Sequence, residues 1–138
     1  MKGLVNCMSL VALLLATMCT LACTRTVSKH VNADGVPEEV VFPQLKEAQN
    51  TAGIYPNEVN LHKIKPGMTK QDLYYLLGEP HFQEMFGARE WDYIFKFHED
   101  DREEDKICQF KVIFDQKKIA RSFYWQPSAC GEGFYQTK

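Results

Sequence analysis

Cys23 is the residue of this chain whose surroundings most clearly predict a chemical modification. It lies in Leu21-Ala22-Cys23-Thr24, at the end of a segment with no charged residue between Lys2 and Arg25. A basic residue, an apolar run and small residues before a cleavage point are typical of a secretory signal peptide. Residues 1–22 are therefore the predicted lipoprotein signal peptide, and Cys23 becomes a first mature residue that carries acyl chains such as palmitate.

Acylation of Cys23 predicts a protein tethered to an envelope membrane and facing the periplasm. Thr24 follows Cys23 where an Asp would resemble an inner-membrane retention signal of enteric-type sorting, so we expect residence in the outer membrane. The alternative is an uncleaved anchor, because the 22 uncharged residues 3–24 can just span a bilayer.

Two other cysteines, Cys108 and Cys130, remain after Cys7 and Cys19 leave with the signal peptide. In an oxidising compartment, two leftover thiols most simply form a disulfide. A metal pair is the alternative, but neither thiol has a second Cys or His at finger-like spacing.

Other chemistry has little support in the sequence. The four histidines His30, His62, His81 and His98 lack ligand spacing, so we expect no metal site. The acidic run from Glu99 to Asp105 lacks the glycine of a calcium loop, and it is interpreted as a solvated loop or as a docking site for a basic partner. No nucleophile elbow or phosphate loop is present, so we expect no catalytic residue, no cofactor and no enzyme activity.

Composition limits the class further. Removal of residues 1–22 leaves 116 residues, which is enough for one domain. Their 15 Lys and Arg against 18 Asp and Glu give a charge excess that is too weak and too mixed for a nucleic-acid-binding surface. Residues 23–53 are polar and contain Pro37 and Pro43, which predicts a lipid-anchored flexible tether. Within it, Val40-Val41-Phe42 could be a short docking strand or a partner-binding segment. Residues 54–130 are the predicted domain, and residues 131–138 are a C-terminal tail.

The predicted domain begins with two short helices. Residues 57–64 place apolar side chains for a first helix, which Pro66 and Gly67 end. Thr69 is an N-cap candidate with Asp72 three residues later, and Gly78 stops the second helix.

Three alternating segments follow the helices. Aromatic residues alternate with polar ones from Trp91 to His98, and similar runs span residues 107–115 and 119–125, with a turn at 115–118. Two helices before a three-stranded antiparallel meander predict a two-layer α+β fold with the order ααβββ.

Several residues occur in an order that resembles the SmpA/OmlA (BamE-like) family of outer-membrane lipoproteins. They are Lys65-Pro-Gly-Met-Thr69, Leu73, Leu77-Gly78-x-Pro80, Phe86 and Trp91-Asp-Tyr93-Ile-Phe95. The resemblance covers residues 57–126 and implies the same ααβββ fold, attachment to the inner leaflet of the outer membrane, and non-catalytic support of β-barrel insertion. The pair Cys108 and Cys130 departs from what we expect of the barrel-assembly subunit itself.

A partner-binding surface is expected in the loop before the first strand, at Phe82, Met85, Phe86 and Arg89. The resemblance implies that this segment contacts lipid headgroups and assembly partners, with Phe86 as the apolar anchor and Arg89 as the cation. A Phe86 ring folded into the core is the alternative.

Three kinds of function stay open at this stage. They are a scaffold subunit of the β-barrel assembly machine, a free-standing envelope or cell-wall-associated lipoprotein, and a periplasmic inhibitor or adaptor that resembles β-lactamase inhibitory proteins.

Overall fold

The structure is a computed structural model that describes residues 27–84, 87 and 89–134. The predicted signal peptide and Cys23 lie outside the described residues. Two helices, α1 (Glu58–Leu61) and α2 (Lys70–Leu77), precede the strands β1 (Glu90–Phe97), β2 (Lys106–Phe114) and β3 (Ala120–Gln126). The strands form one antiparallel sheet in the order β1-β2-β3. The predicted α+β fold is confirmed.

Helix α2 begins and ends where its local sequence predicts. The Thr69 side chain accepts a hydrogen bond from the Asp72 N–H at 3.2 Å, and the Asp72 carboxylate accepts one from the Thr69 N–H at 2.8 Å. These bonds from Thr69 hold the pKa of Asp72 below its usual value. Gly78 ends the helix with a φ of +80°, a conformation that favours glycine. With only two turns, α2 depends on packing for its stability.

The main core lies between the helices and one face of the sheet. Leu73 on α2 and Tyr93 and Phe95 on β1 are fully buried there. Aromatic rings dominate this layer: the rings of Phe95 and Phe110 stack with centroids 5.8 Å apart. The buried members of the core are Leu61, Ile64, Leu73, Leu77, Trp91, Tyr93, Phe95, Phe110, Val112, Phe114, Ala120 and Phe123.

Residues 27–53, here called the N-terminal strap, lie against the domain and bond to all three strands. The Ser28 N–H donates to the Glu90 carboxylate at 3.1 Å, the Gln109 amide donates to the Pro43 carbonyl at 2.8 Å, and the Ser122 hydroxyl donates to the Gly35 carbonyl at 2.8 Å. The prediction of a flexible tether over residues 23–53 is therefore corrected for its described part. Bonds between distant parts of the chain hold the N-terminal strap in place.

Ile54, directly after the N-terminal strap, covers the outer edge of β1. The Ile54 N–H donates to the Ile94 carbonyl at 3.0 Å, and the Lys96 N–H donates to the Ile54 carbonyl at 2.8 Å. Gly53 precedes this contact with a φ of +65°, and a Cβ atom there would lie 2.8 Å from the Ile94 oxygen. Glycine is required at residue 53 for both reasons.

Charged side chains are buried on the sheet face opposite the helices. The Lys111 Nζ atom lies 2.7 Å from Glu90 Oε1 and 2.9 Å from Asp92 Oδ2, and these three side chains are at most 2% exposed. The Phe42 ring of the N-terminal strap lies 5.5 Å from Lys111 Nζ. The N-terminal strap thus shields a cation that pairs with two carboxylates, and removing one partner would leave an uncompensated buried charge.

His81 joins the loop after α2 to β1 and to the N-terminal strap. Its Nδ1 atom accepts a hydrogen bond from the Ile94 N–H at 2.8 Å, and its carbonyl accepts one from the Gln49 N–H at 2.7 Å. The residue is 5% exposed, and burial lowers the pKa of its imidazole. His81 is therefore neutral in the folded protein at neutral pH.

We expect the stability of the protein to fall as the pH drops below about 6.5, the ordinary pKa of histidine in an unfolded chain. Below that pH the unfolded state binds a proton at His81 before the folded state does, so unfolding is favoured, by at most about 1.4 kcal/mol per pH unit. Urea denaturation at a series of pH values measures this slope. His81→Asn, whose amide oxygen can accept the Ile94 bond, should have a smaller slope than the wild-type protein. An unchanged slope in His81→Asn would contradict the assignment.

Candidate functional site

The predicted partner-binding loop runs from the end of α2 to the start of β1, and its residues differ in their surroundings. Phe82 is 2% exposed, so its ring belongs to the interior and not to the surface. Met85 and Phe86 lie outside the described residues. Gly87 has a φ of +78° with open space around it, as expected for a surface turn. The structure therefore places one residue of the predicted partner-binding surface, Phe82, in the core.

Arg89 links the loop to the N-terminal strap. Its guanidinium donates to the Asn32 carbonyl at 2.9 Å and to the Val31 carbonyl, and its own carbonyl accepts a bond from the Phe114 N–H at 2.8 Å. The side chain is half-buried. Arg89 thus fixes the turn of the strap beside the end of the sheet, with part of its guanidinium already engaged by protein oxygens.

Glu84 and Lys70 form a polar cluster at the start of the same loop. The Glu84 carboxylate accepts a hydrogen bond from Trp91 Nε1 at 3.0 Å and pairs with Lys70, whose Nζ atom lies 5.0 Å from the Trp91 ring centroid. Burial opposes ionisation of Glu84, but the bonds from Lys70 and Trp91 outweigh it and lower the pKa of the carboxyl. The cluster connects α2 to the start of the loop and to β1, and it needs no external ligand.

Exposed apolar residues on the two helices form a surface that the sequence reasoning missed. Val59 is 68% exposed, Tyr74 48% and Tyr75 75%. Beside Tyr75 lies an open groove of about 510 Å³ between α2 and the turn that precedes it, lined by Lys65, Pro66, Gly67, Met68, Asp72, Tyr75 and Leu76. Tyrosine is enriched at protein interfaces because it offers apolar area and a polar tip. The sequence does contain a signal for this surface. Leu73, Leu76 and Leu77 form the apolar face of α2, and Tyr74 and Tyr75 fall outside that face.

The acidic run forms the connection between β1 and β2, at the end of the sheet away from Arg89. Glu99 pairs with Arg102 at 3.1 Å and with Lys106 at 3.6 Å, and the Asp105 carboxylate accepts a bond from the Tyr55 hydroxyl. Within the described part of the chain, no three His, Cys, Asp or Glu residues come together as a metal site.

The disulfide lies near that same end. Cys108 and Cys130 are joined, with Cα atoms 6.1 Å apart and both residues buried. This is the pairing that the sequence favoured. The bond joins the short 3₁₀ helix Ser128–Gly131 to β2, and Gly131 of this helix lies against the Trp125 ring of β3.

The fold and its surfaces define an ααβββ module with exposed apolar contact area on its helices, which is the form of a binding module. The family model of the "Outer membrane protein assembly factor BamE domain" matches residues 53–124, so this chain belongs to the BamE family. The outer membrane protein assembly factor BamE of Yersinia pestis is 30% identical over 97 residues, which cover 68% of this chain and 77% of that protein.

Family membership confirms the resemblance seen in the sequence, because BamE is SmpA/OmlA-like. The family consists of non-catalytic assembly factors, so the chain is not an enzyme. In the residues that the structure covers, no helix has the length and apolar character needed to cross a membrane.

Proposed function

We propose that this chain is an outer-membrane lipoprotein, anchored at the periplasmic face through acylated Cys23, that acts as an accessory scaffold in the assembly of β-barrel outer-membrane proteins. The observation that carries the proposal is the match of residues 53–124 to the BamE domain, which spans both helices and most of the sheet. The signal peptide and the small residue before Cys23 support the anchor independently.

A scaffold role agrees with the chemistry of the described surface. The buried Glu90 and Asp92 carboxylates have their cationic partner, Lys111, within the protein. The exposed Tyr74 and Tyr75 on α2 offer contact area without a reactive group. Loop residues Met85, Phe86 and Arg89 remain the proposed second contact with partner subunits or lipid, Arg89 through the donors that the strap leaves available.

Loss of the protein tests the function. In cells that lack this chain, we expect lower amounts of β-barrel proteins in the outer membrane and greater sensitivity to detergents, both restored by the wild-type gene. Normal barrel levels with a cell-wall defect would favour the free-standing lipoprotein. Normal barrel levels with altered activity of a periplasmic enzyme would favour the inhibitor or adaptor.

Anchoring has its own test. Cys23→Ser removes the acylated thiol, so the precursor should remain unprocessed in the inner membrane. Membrane fractionation and the mass of the protein measure this outcome, with Cys19→Ser within the signal peptide as the matched control that should mature normally. A Cys23→Ser protein that matures and fractionates with the outer membrane would show that the lipoprotein assignment is wrong.

A further inference from the structure

The N-terminal strap is separate from the domain core in both sequence and packing. The BamE family match begins at residue 53, where the strap ends. Among the described residues, the buried core and the partly buried apolar residues packed on it include none from 27–53. The buried residues of the strap are Ser28, Gly35 and Pro43, which bring little apolar side chain to the contact. The domain core therefore packs without a contribution from the strap.

Residues 27–43 of the strap bind the domain mainly through backbone carbonyls. The carbonyls that accept hydrogen bonds from groups of the domain at 2.8 to 3.2 Å are those of Asn32, Ala33, Gly35 and Pro43. Water can replace these donors when the strap leaves, so each bond contributes a modest net free energy. Release would also rehydrate Lys111, Glu90 and Asp92, whose burial as ions is costly. Residues 27–43 are thus a segment of low local stability on a stable domain.

The last part of the strap is attached by different contacts. The Gln49 N–H donates to the His81 carbonyl at 2.7 Å, and Ile54, directly after the strap, bonds to the edge of β1. These contacts do not involve the sheet face beneath residues 27–43. Between the two regions lie the exposed residues 44–47, which include the short 3₁₀ helix Leu45–Glu47. A release of the first part of the strap would therefore end at residues 44–47.

Release would change the length of chain between the anchor and the domain. With the strap docked, Ser28 bonds to Glu90 and follows Cys23 by five residues, which span at most about 18 Å. With residues 27–43 released, the free chain runs from Cys23 to Gln44. These 21 positions span about 70 Å when fully extended and about 25 Å on average as a flexible chain.

We propose that residues 27–43 of the strap release from the domain as a unit, while the domain stays folded, and so set how far the domain can move from the bilayer that holds Cys23. The reach rests on the anchoring stated under the proposed function, whereas the release does not. A partner that lies beyond the docked reach shifts the population toward the released strap, because only that state can bind it.

Amide hydrogen exchange, followed by NMR on the acylated mature protein in detergent micelles, tests the release. The N–H groups of Ser28 and Gln116 bond across the contact between strap and domain, so they are the two strap reporters. The buried Ile94 N–H, which donates to His81, is the reference within the domain. We expect the two strap reporters to open equally often, and at least about tenfold more often than Ile94.

A mild core variant distinguishes release of the strap from unfolding of the whole domain. Ile64→Val at a buried position destabilises the docked and the released states equally relative to the unfolded state. Exchange of Ile94 should therefore become about fivefold faster, and the two strap reporters should not change. Equal acceleration of Ile94 and both strap reporters, or strap reporters as slow as Ile94 in the wild-type protein, would overturn the release.

Removing donors that hold the strap should favour the released state. Gln109→Ala with Ser122→Ala deletes two of these donors and should speed exchange of the two strap reporters about 30-fold, since each lost bond is worth about fivefold. Gln126→Ala with Ser128→Ala makes the same changes of residue type at exposed positions and should leave that exchange unchanged. An equal effect of the two pairs would contradict the proposed contacts.

Energy transfer on vesicles tests the reach. A fluorophore at Lys117→Cys, an exposed position in the turn that bonds to Ala33, transfers energy to an acceptor lipid in phosphatidylcholine vesicles, whose headgroups carry no net charge. Transfer should fall from the control pair to Gln109→Ala with Ser122→Ala, in proportion to the released fraction that the exchange rates give. Transfer that does not follow this fraction would overturn the reach alone. Failure of the wild-type protein to float with the vesicles would overturn the anchor and the reach together, whereas the exchange rates decide the release independently.

Discussion

Replacing Lys111 with methionine is expected to destabilise the protein by about 3–5 kcal/mol, because it leaves the Glu90 and Asp92 carboxylates buried without their cationic partner. Lys111 Nζ lies 2.7 Å from one carboxylate and 2.9 Å from the other, and it is fully buried. A small domain has about 5–15 kcal/mol of stability in total, so much of the variant should be unfolded at moderate urea concentrations. Urea denaturation followed by tryptophan fluorescence measures the loss.

Two further variants show whether the charge itself is responsible. Lys96→Met changes a partly buried lysine whose Nζ atom lies 4.5 Å from the Tyr55 ring centroid, so we expect a loss of about 1 kcal/mol or less. The triple variant with Lys111→Met, Glu90→Gln and Asp92→Asn removes all three charged groups. It should recover a large part of the stability lost in Lys111→Met alone. A Lys111→Met loss no greater than that of Lys96→Met would refute the buried ionic cluster.

Removing the disulfide by Cys108→Ala with Cys130→Ala is expected to lower the free energy of unfolding by about 2–5 kcal/mol. The bond joins residues 22 positions apart and therefore restricts the unfolded chain. It also holds the C-terminal segment in which Phe134 stacks on Trp125 with centroids 5.6 Å apart. Denaturation of the double variant beside wild type measures the loss.

The state of the two thiols provides the control for this prediction. Mass spectrometry of non-reduced, alkylated periplasmic protein should find neither Cys108 nor Cys130 labelled. Wild-type protein under reducing conditions should match the double alanine variant, because both lack the same bond. Two labelled thiols in the native protein would contradict the disulfide assignment.

The elements that the sequence predicted well are those specified by neighbouring residues. The bonds between Thr69 and Asp72 are made within one helical turn, so the start of α2 is visible in the sequence. The strands were predicted by alternation, and each end of each strand differs from the predicted end by one residue.

The N-terminal strap was not predicted, because its contacts are far apart in sequence. Ser28 and Glu90 are 62 positions apart, and Gly35 and Ser122 are 87 positions apart. The alternation of side chains along β2 places Lys111 on the sheet face opposite the aromatic core. A charged residue on such a face normally indicates that the face is exposed to solvent. Only the N-terminal strap reveals that this face is buried as well.

Only part of the candidate site was predicted, because the sequence does not show which of its side chains are buried. The loop that contains Gly87 and Arg89 was expected to be exposed, and its turn at Gly87 is exposed. Phe82 is buried because the domain is small and a ring near the end of α2 fills its core. The exposed Tyr74 and Tyr75 were missed because helix periodicity identifies the buried face, and it does not distinguish a functional exposed residue from an ordinary one.

Affinity purification from the outer membrane tests the central proposal most directly. The full-length acylated protein, tagged at its C-terminus, is purified from gently solubilised outer membranes after crosslinking, and the β-barrel subunit of the assembly machine is quantified. We predict strong enrichment of that subunit with the wild-type chain and its loss with Cys23→Ser. Recovery of a folded, acylated protein without enrichment of the β-barrel subunit would contradict the proposed role.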